Sequence, residues 1–389
     1  MKYFPYIFLT IFLVLIANAD RQYKVATKRF SDKPIISRKI GSNFYSNLYA
    51  GIYTFKNEYG LIVGTWNDTG YYLVNSKLFY FQNGTISALP TLNNMTLAFP
   101  KDTTNYNSGG NNFDSVSFFN GFYYLLYDET DSNEYPVLAW AKTDNPFSNN
   151  WTRLGHIFPD SAKINTFKSS FLWGTKENAL PMHYLFWDDT SAIYYETSVD
   201  GITWTSTSTP LLYPRPYHFD SDSIYVGTIP LSLKTGDFLF LYSAVNSDDD
   251  RTRTGWTILD AVNPTIVIQR GNESIMSPKL DWEQDIYLTS IIPDPYGCPS
   301  DVGDIIGTDF VSNAECFIGV YGIYEIGAVR VVSSWIDNSS SSTTPSSDTC
   351  ADVDSTCPSM ASQCLLSAYQ PIMCKYCQRN IVGSLLGYV

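Results

Sequence analysis

The sequence predicts an all-β fold: a five-bladed β-propeller followed by a small disulfide-rich C-terminal module. Three observations support this prediction. A unit of two aromatic-rich strands, a tight turn and a tryptophan recurs along the chain. Short runs of strand-forming residues alternate with Gly, Asn, Asp, Ser and Pro, without sustained helical periodicity. All seven cysteines lie in the last quarter of the chain.

The repeating unit is clearest between His183 and Trp204, where two strands are followed by a polar turn. A second copy runs from Gly121 to Trp151, and a third begins at Gly236. Five units fit the chain, at about residues 42–90, 110–157, 165–213, 221–275 and 285–335. A β-sandwich also accommodates short strands, but it would not explain the repeated unit.

The first 19 residues are typical of a secretory signal peptide. Lys2 precedes an apolar run from Phe8 to Ile16, and Ala17-Asn18-Ala19 forms a small-residue cleavage pattern. A membrane anchor is the alternative, but this run is shorter than the ~20 residues of a membrane span. We therefore expect cleavage after Ala19 and a secreted, extracellular protein. Acceptor triplets for N-glycosylation agree with secretion and occur at Asn67, Asn83, Asn94, Asn150, Asn272 and Asn338.

Three further segments follow the signal peptide. Residues 20–335 form the predicted propeller domain and begin with a basic, polar lead-in. Residues 336–349 form a Ser/Thr-rich linker, and residues 350–389 form a Cys-rich module small enough to need disulfides. Zinc binding is the alternative for Cys374-x-x-Cys377, but no histidine follows His218, so disulfides are favoured. An odd number of cysteines leaves one thiol free or available to a disulfide-linked partner.

The charge of the chain excludes some partners. The formal net charge is −13, which disfavours nucleic acid and anionic membranes. No segment after the signal peptide is long and apolar enough to span a membrane. Aromatic residues make up 16% of the chain; they suit strand packing and also stack on sugar rings.

The turn from Ser198 to Trp204 resembles the Asp-box of sialidases but is one residue shorter. In such turns the Asp accepts backbone N–H groups, the Gly adopts positive φ and the Trp packs between blades. We therefore predict a structural role for Asp200.

Residues 237–278 carry a more specific pattern. An apolar strand ending at Tyr242 is followed by Leu259-Asp260-x-x-x-Pro264, then by Val267-Ile268-Gln269-Arg270 and a segment ending at Pro278. Tyr321-Gly322-Ile323-Tyr324-Glu325 and the residues after it resemble a closing Y-G-A-A-D strand. These runs resemble glycoside hydrolase family 130, the β-mannoside phosphorylases and mannosidases. The resemblance implies a five-bladed propeller that acts on mannose-type or related oligosaccharides.

The resemblance also implies catalytic positions. The acid of the family, an Asp in a D-P-R context, matches Asp114, although Ser115 and Val116 replace Pro and Arg. Lys163 matches a Lys that opens the third blade, but an acidic residue expected beside it is absent. Because phosphate binding needs basic side chains, these departures favour hydrolysis over phosphorolysis.

Hydrolysis requires a second carboxylate. Glu325 and Asp222 are the candidates, because both fall where side chains can face the propeller axis. Predicted substrate-binding residues are Lys163, Trp173, His218 and Asp220. We expect a carbohydrate substrate or ligand, no metal and no cofactor.

A second hypothesis is a propeller that has lost its chemistry and binds glycans as a secreted or cell-surface protein. The altered residues after Asp114 favour this alternative, and the retained Asp114 and Glu325 favour the enzyme. Fold alone does not decide between them.

Overall fold

The computed structural model describes residues 21–37, 46–67, 70–80, 86–88, 96–99, 112–130, 136–148, 150–158 and 168–337. These residues form five antiparallel sheets, and the prediction of an all-β five-bladed propeller is confirmed. The chain divides into two compact units, Met1–Asn338 and Ser339–Val389. The predicted signal peptide and Cys-rich module both lie outside the described residues.

The strands follow one another around the propeller in chain order. The first strand is β1 (Arg21–Arg29). Blade 1 contains β2 (Ser46–Phe55), β3 (Glu58–Asn67), β4 (Gly70–Tyr80), β5 (Ile86–Ala88) and β6 (Thr96–Phe99). Blade 2 contains β7 (Asn112–Phe119), β8 (Phe122–Thr130), β9 (Pro136–Thr143) and β10 (Thr152–His156). Blade 3 contains β11 (Ser169–Leu172), β12 (His183–Asp188), β13 (Ile193–Ser198) and β14 (Thr205–Leu212).

The remaining two blades complete the ring. Blade 4 contains β15 (Ser223–Val226), β16 (Leu231–Ser232), β17 (Phe238–Val245), β18 (Thr252–Leu259) and β19 (Val267–Arg270). Blade 5 contains β20 (Leu288–Pro293), β21 (Glu315–Tyr321) and β22 (Gly327–Asp337).

Strand β1 closes the ring. It pairs antiparallel with β22, from Arg21 opposite Asp337 to Arg29 opposite Val329, and so becomes the outermost strand of blade 5. The sequence showed only a polar lead-in here, because the pairing joins residues about 300 positions apart. Alternating burial at Tyr23 and Val25 is the local trace of this strand.

The core lies between the blades. Every residue of β17 is buried, because both faces of a propeller sheet are covered by neighbouring sheets. Phe186 of blade 3 packs on Phe240 of blade 4 with ring centroids 5.1 Å apart. Between blades 2 and 3, Trp140 and Phe171 pack edge to face with ring centroids 5.9 Å apart.

The structural role predicted for Asp200 is confirmed. One carboxylate oxygen of Asp200 accepts the N–H groups of Ile202 and Thr203, at 2.8 and 2.7 Å. Gly201 has a φ of 71°, and the ring of Trp204 stacks on Phe171 with centroids 5.3 Å apart.

A short insert interrupts blade 5 between β20 and β21. It contains helix α1 (Val302–Ile306) and a 3₁₀ turn over Thr308–Asn313. A disulfide between Cys298 and Cys316 ties the insert to β21, so the prediction of disulfides is confirmed for this pair. The other five cysteines lie outside the described residues. Within the described residues, no helix has the length and apolar character needed to cross a membrane.

The topology brings several polar residues to one end of the propeller. Strands β2, β7, β11, β15 and β20 are the innermost of their sheets, and β7 contacts β2, β11 and β20. Because the next strand in each blade runs antiparallel, it ends where the inner strand begins. Asp128 near the end of β8 and Asp188 at the end of β12 therefore lie at the same end as Asp114.

Candidate functional site at the propeller axis

Asp114 lies at an irregularity of the innermost strand of blade 2. The register of β7 against β8 shifts between Phe113 and Ser115, so Asp114 has no partner residue opposite it. Such bulges redirect a side chain and are common beside functional sites. This strand lies close to blade 1. The ring of Phe113 packs directly against Gly51, where any larger residue would collide with it.

The carboxylate of Asp114 is enclosed by blade 3. Ser169 Oγ donates a hydrogen bond of 2.6 Å to Oδ2, and Lys168 Nζ lies 3.6 Å from Oδ1. Asp114 is only 1% exposed. Among the described residues, its hydrogen bonds and ion pairs are with this Lys-Ser pair rather than with Glu325 or Asp222.

Lys168 is a buried cation, 2% exposed. Its Nζ donates to the carbonyl oxygen of Phe113 and lies 3.3 Å from the ring centroid of Tyr49 on β2. Burial lowers the pKa of Lys168, while the nearby carboxylates of Asp114, Asp128 and Asp188 oppose that shift. The ammonium group is thus held by a carboxylate, a carbonyl and an aromatic face.

Two more buried carboxyls surround this ion pair. Asp188 Oδ2 accepts the N–H of Val226 at 2.7 Å. The Oδ1 atoms of Asp128 and Asp188 have no hydrogen-bond partner among the described residues. Burial raises the pKa of both groups well above the usual range, and the charge of Asp114 raises it further.

Three tyrosines complete the site. The ring centroid of Tyr287 lies 5.2 Å from that of Tyr49 and 6.1 Å from that of Tyr225. Burial raises the pKa of Tyr49 well above its usual value and that of Tyr287 to about 12. Every blade therefore contributes at least one side chain. We call the set the axial cluster: Tyr49, Asp114, Lys168, Tyr225 and Tyr287, backed by Asp128 and Asp188.

The proton occupancy of Asp114 follows from these contacts. Burial raises its pKa to about 6, while Lys168 and the hydroxyl of Ser169 pull it down. A carboxyl that exchanges its proton near neutral pH can act as a general acid. Buried carboxyls that shift each other's pKa also mark functional sites more often than structural ones.

The predicted substrate-binding residues have other partners. Asp220 is fully buried and receives hydrogen bonds from Arg270 at 2.6 Å, from Tyr242 at 2.8 Å and from Arg215 at 3.1 Å. Trp173 is buried, and its Nε1 donates to Ser117 Oγ at 2.9 Å.

The other predicted positions lie around the end of the propeller that carries Asp114. Lys163 is the exception, because it is outside the described residues. His218 Nδ1 lies 3.4 Å from the carbonyl oxygen of Asn272. Asp222 is exposed just before β15, and Glu325 is half-buried in the turn between β21 and β22. Their roles in catalysis and binding stay predictions.

Sequence reasoning missed Lys168 and Asp128. A signal for each was present: Lys168 is a charged residue directly before the wholly buried strand β11. Asp128 and Asp188 both end a run of aromatic and apolar residues in the second strand of a repeat unit.

The model of glycoside hydrolase family 130, described as β-1,4-mannooligosaccharide phosphorylase, matches residues 114–285. The match starts at Asp114 and includes Lys168, Asp128 and Asp188. The propeller of this chain resembles glycoside hydrolase family 130. The expectation drawn from the sequence motifs is thereby confirmed.

Two curated relatives carry phosphorylase names. A 1,2-β-oligomannan phosphorylase of Thermoanaerobacter sp. (strain X514) is 27% identical over 205 residues, which are 51% of this chain and 63% of the relative. A β-1,2-mannobiose phosphorylase of Listeria innocua serovar 6a is 30% identical over 82 residues, which are 21% of this chain and 22% of the relative. The chain thus covers less than two thirds of either protein.

Solved structures share the fold. A glycosyl hydrolase from Bacteroides ovatus superposes with a TM-score of 0.60 at 17% identity, over 76% of this chain and 90% of the other. A family 130 structure has a TM-score of 0.60 at 16% identity, over 78% and 93% of the two chains. It is described in connection with glycoside hydrolases that target β-1,2 mannosidic linkages in Candida mannan. These likenesses establish the architecture.

Proposed function

We propose that this protein is a secreted glycosidase that cleaves mannose-containing oligosaccharides at the propeller axis, with Asp114 as general acid. One observation carries the proposal. Asp114 is a buried carboxyl with a pKa of about 6, at a strand bulge where side chains of all five blades converge. The names of the curated relatives support a mannoside substrate.

In this mechanism, protonated Asp114 gives its proton to the oxygen of the leaving sugar. Lys168 and Ser169 are positioning residues, because they orient the carboxyl and set its pKa. Burial raises the pKa of Asp128 and of Asp188 well above the usual range, which disfavours the carboxylate form that a base requires. Asp222 and Glu325, at the same end of the propeller and accessible to solvent, remain the candidates for the base that activates water.

Hydrolysis is proposed over phosphorolysis for an electrostatic reason. Described arginines pair with carboxylates outside the axial cluster: Arg215 and Arg270 bind Asp220, and Arg153 binds Glu129. Lys168 is the cation in contact with Asp114, and three carboxyl groups surround it. A phosphate dianion would find there a single ammonium group, which already contacts Asp114.

The test is turnover of aryl β-mannosides and of β-1,2- and β-1,4-mannooligosaccharides, with and without inorganic phosphate. Wild type should release free mannose at the same rate in both conditions. Asp114→Asn should lose about 10²–10⁴-fold in rate, as expected for removal of a general acid. Asp249→Asn, an exposed carboxylate in an ion pair with Arg253, serves as the matched control and should keep full activity.

Two results would contradict the proposal. Release of mannose 1-phosphate that depends on added phosphate would identify a phosphorylase. Turnover that is unchanged in Asp114→Asn would assign the acid to another residue.

A second candidate function is glycan binding without catalysis. The near-complete enclosure of Asp114 favours it, together with the Ser115-Val116 that follows this residue. This candidate expects mannooligosaccharide binding in wild type and in Asp114→Asn alike, with no turnover in either.

The proposal also includes secretion of the protein. We propose a signal peptide over residues 1–19, a linker over 336–349 and a disulfide-rich module over 350–389. Protein recovered from the medium of expressing cells should begin at Asp20. Its mobility on non-reducing gels reports whether the odd cysteine links two chains; an intracellular product starting at Met1 would contradict the proposal.

A further inference from the structure

A cavity lies at the end of the propeller opposite Asp114. The turn after β2, the end of β4 and the segment after β20 form a cleft of about 420 Å³. This volume falls within the range of small-molecule binding sites, roughly 300–1,000 Å³. Four aromatic rings line it, those of Tyr59, Phe79, Tyr80 and Tyr296. We call it the aromatic cleft.

The floor of the aromatic cleft is fixed from below. The hydroxyl of Tyr80 donates to Asp294 Oδ2 at 2.8 Å and accepts from Arg330 Nη2 at 2.9 Å. Arg330 also pairs with Asp294 at 3.3 Å, and these three side chains are buried. The ring of Tyr80 is therefore held in one orientation before any ligand arrives.

The carboxylate of Asp294 also positions Tyr296, which forms a wall of the cleft. Asp294 Oδ1 accepts the backbone N–H of Tyr296 at 3.0 Å, while Oδ2 holds the floor. The ring centroids of Tyr80 and Tyr296 are 5.3 Å apart, with their planes inclined at 45°. Such a preset arrangement reduces the entropy lost on binding.

Two of the rings are open to solvent. Phe79 is 42% exposed and Tyr296 is 49% exposed. Polar groups adjoin them: Lys77 Nζ donates to Glu58 at 2.7 Å beside the turn at Lys56 and Asn57. Both turn residues have positive φ, 47° and 65°, which defines a tight hairpin.

Aromatic faces beside charged and amide groups suit one ligand class. A pyranose ring presents C–H groups on one face, which pack on aromatic rings, and hydroxyl groups at its edge, which both donate and accept hydrogen bonds. We propose that the aromatic cleft is a second, non-catalytic sugar-binding site, which holds a pyranose unit of a longer oligosaccharide. The choice of mannose-containing chains as ligand rests on the proposed function.

The experiment measures binding of β-1,2- and β-1,4-mannotetraose to the full chain by titration calorimetry and by saturation-transfer NMR. An Asp114→Asn background prevents turnover. Phe79→Ala with Tyr296→Ala removes the two exposed rings and leaves the Tyr80-Asp294-Arg330 network in place. Phe118→Ala, a 59% exposed aromatic residue of blade 2, is the matched control.

For the binding event at the cleft, we expect the double variant to be at least tenfold weaker with one or both probes, and the control to bind as the background does. Tyr296→Phe should restore most of the binding lost in Tyr296→Ala, because it keeps the ring. Unchanged affinity in the double variant, or no binding of either probe to the background protein, would overturn the proposal. Sugar binding at the cleft, combined with no turnover by the wild-type protein, would refute the glycosidase proposal alone.

Discussion

Two buried carboxylates of this propeller, Asp114 and Asp220, have very different surroundings. Asp220 receives hydrogen bonds from Arg215, Arg270 and Tyr242, so two cations and a hydroxyl satisfy it. Asp114 has one serine hydroxyl and one ammonium group, and its charge raises the pKa of the nearby Asp128 and Asp188.

The difference separates a structural carboxylate from a reactive one. A buried carboxylate that is fully paired anchors the residues around it, while burial without full pairing raises the pKa of a carboxyl and allows proton exchange. Asp220 joins the loop after β14 to β17 and β19 through its partners, and Asp114 stands at the axis with a pKa of about 6. Both residues are candidate site residues in the sequence. The number of hydrogen-bond and ion-pair donors around each carboxylate distinguishes them.

The largest effect should come from removing Asp220. Asp220→Asn leaves Arg215 and Arg270 without their counter-ion, and we expect a loss of about 3–5 kcal/mol in the free energy of unfolding. Asp249→Asn, which breaks an exposed pair, should cost at most about 1 kcal/mol. Denaturant unfolding at pH 7 checks both, and similar costs for the two would break the comparison.

Asp114→Asn should behave differently in the same assay. Because the carboxyl gains a proton on folding, the wild-type residue favours the folded state below about pH 4. That contribution is lost as the pH rises through about 6. Relative to wild type, Asp114→Asn should gain about 1–3 kcal/mol between pH 4 and pH 8. A stability difference that does not vary with pH would show that Asp114 is ionised throughout.

Lys168→Met should move the pH dependence of catalysis. Lys168 favours the charged form of Asp114, so its removal raises the pKa of the acid. The fall in kcat/KM at high pH should shift to higher pH by about one unit or more, a readout that loss of packing alone would not give. Lys176→Met, at an exposed turn of blade 3, is the control and should leave the profile in place.

Ser169→Ala should give the smallest effect. It removes one hydrogen bond to Asp114, which costs about 1 kcal/mol of stability. The pH profile should shift in the same direction as in Lys168→Met but by less, since the hydroxyl carries no charge. A larger shift than that of Lys168→Met would reverse the ranking of the two contacts.

The repeat units predicted from the sequence correspond to the blades. The unit of about residues 165–213 contains β11 to β14, because aromatic strands and a polar turn are local signals. Closure by β1 was missed, since its partner β22 is remote in sequence and its own residues are mostly polar.

The site was predicted in part, for a similar reason. Asp114 was found through a motif, but its neighbour Lys168 comes from another blade. Asp128 was missed because its importance depends on what faces it rather than on its own sequence context. A pKa set by burial and by residues of separate strands cannot be read from one strand alone.

The most direct test of the central claim is the titration of the Asp114 carboxyl itself. Carboxyl carbons can be followed by ¹³C NMR across pH 3–9, with the Asp114 signal assigned as the one missing in Asp114→Asn. The axial cluster predicts a midpoint near pH 6. A midpoint below about 4, the range of an ordinary aspartate, would contradict the account and make Asp114 a structural partner of Lys168.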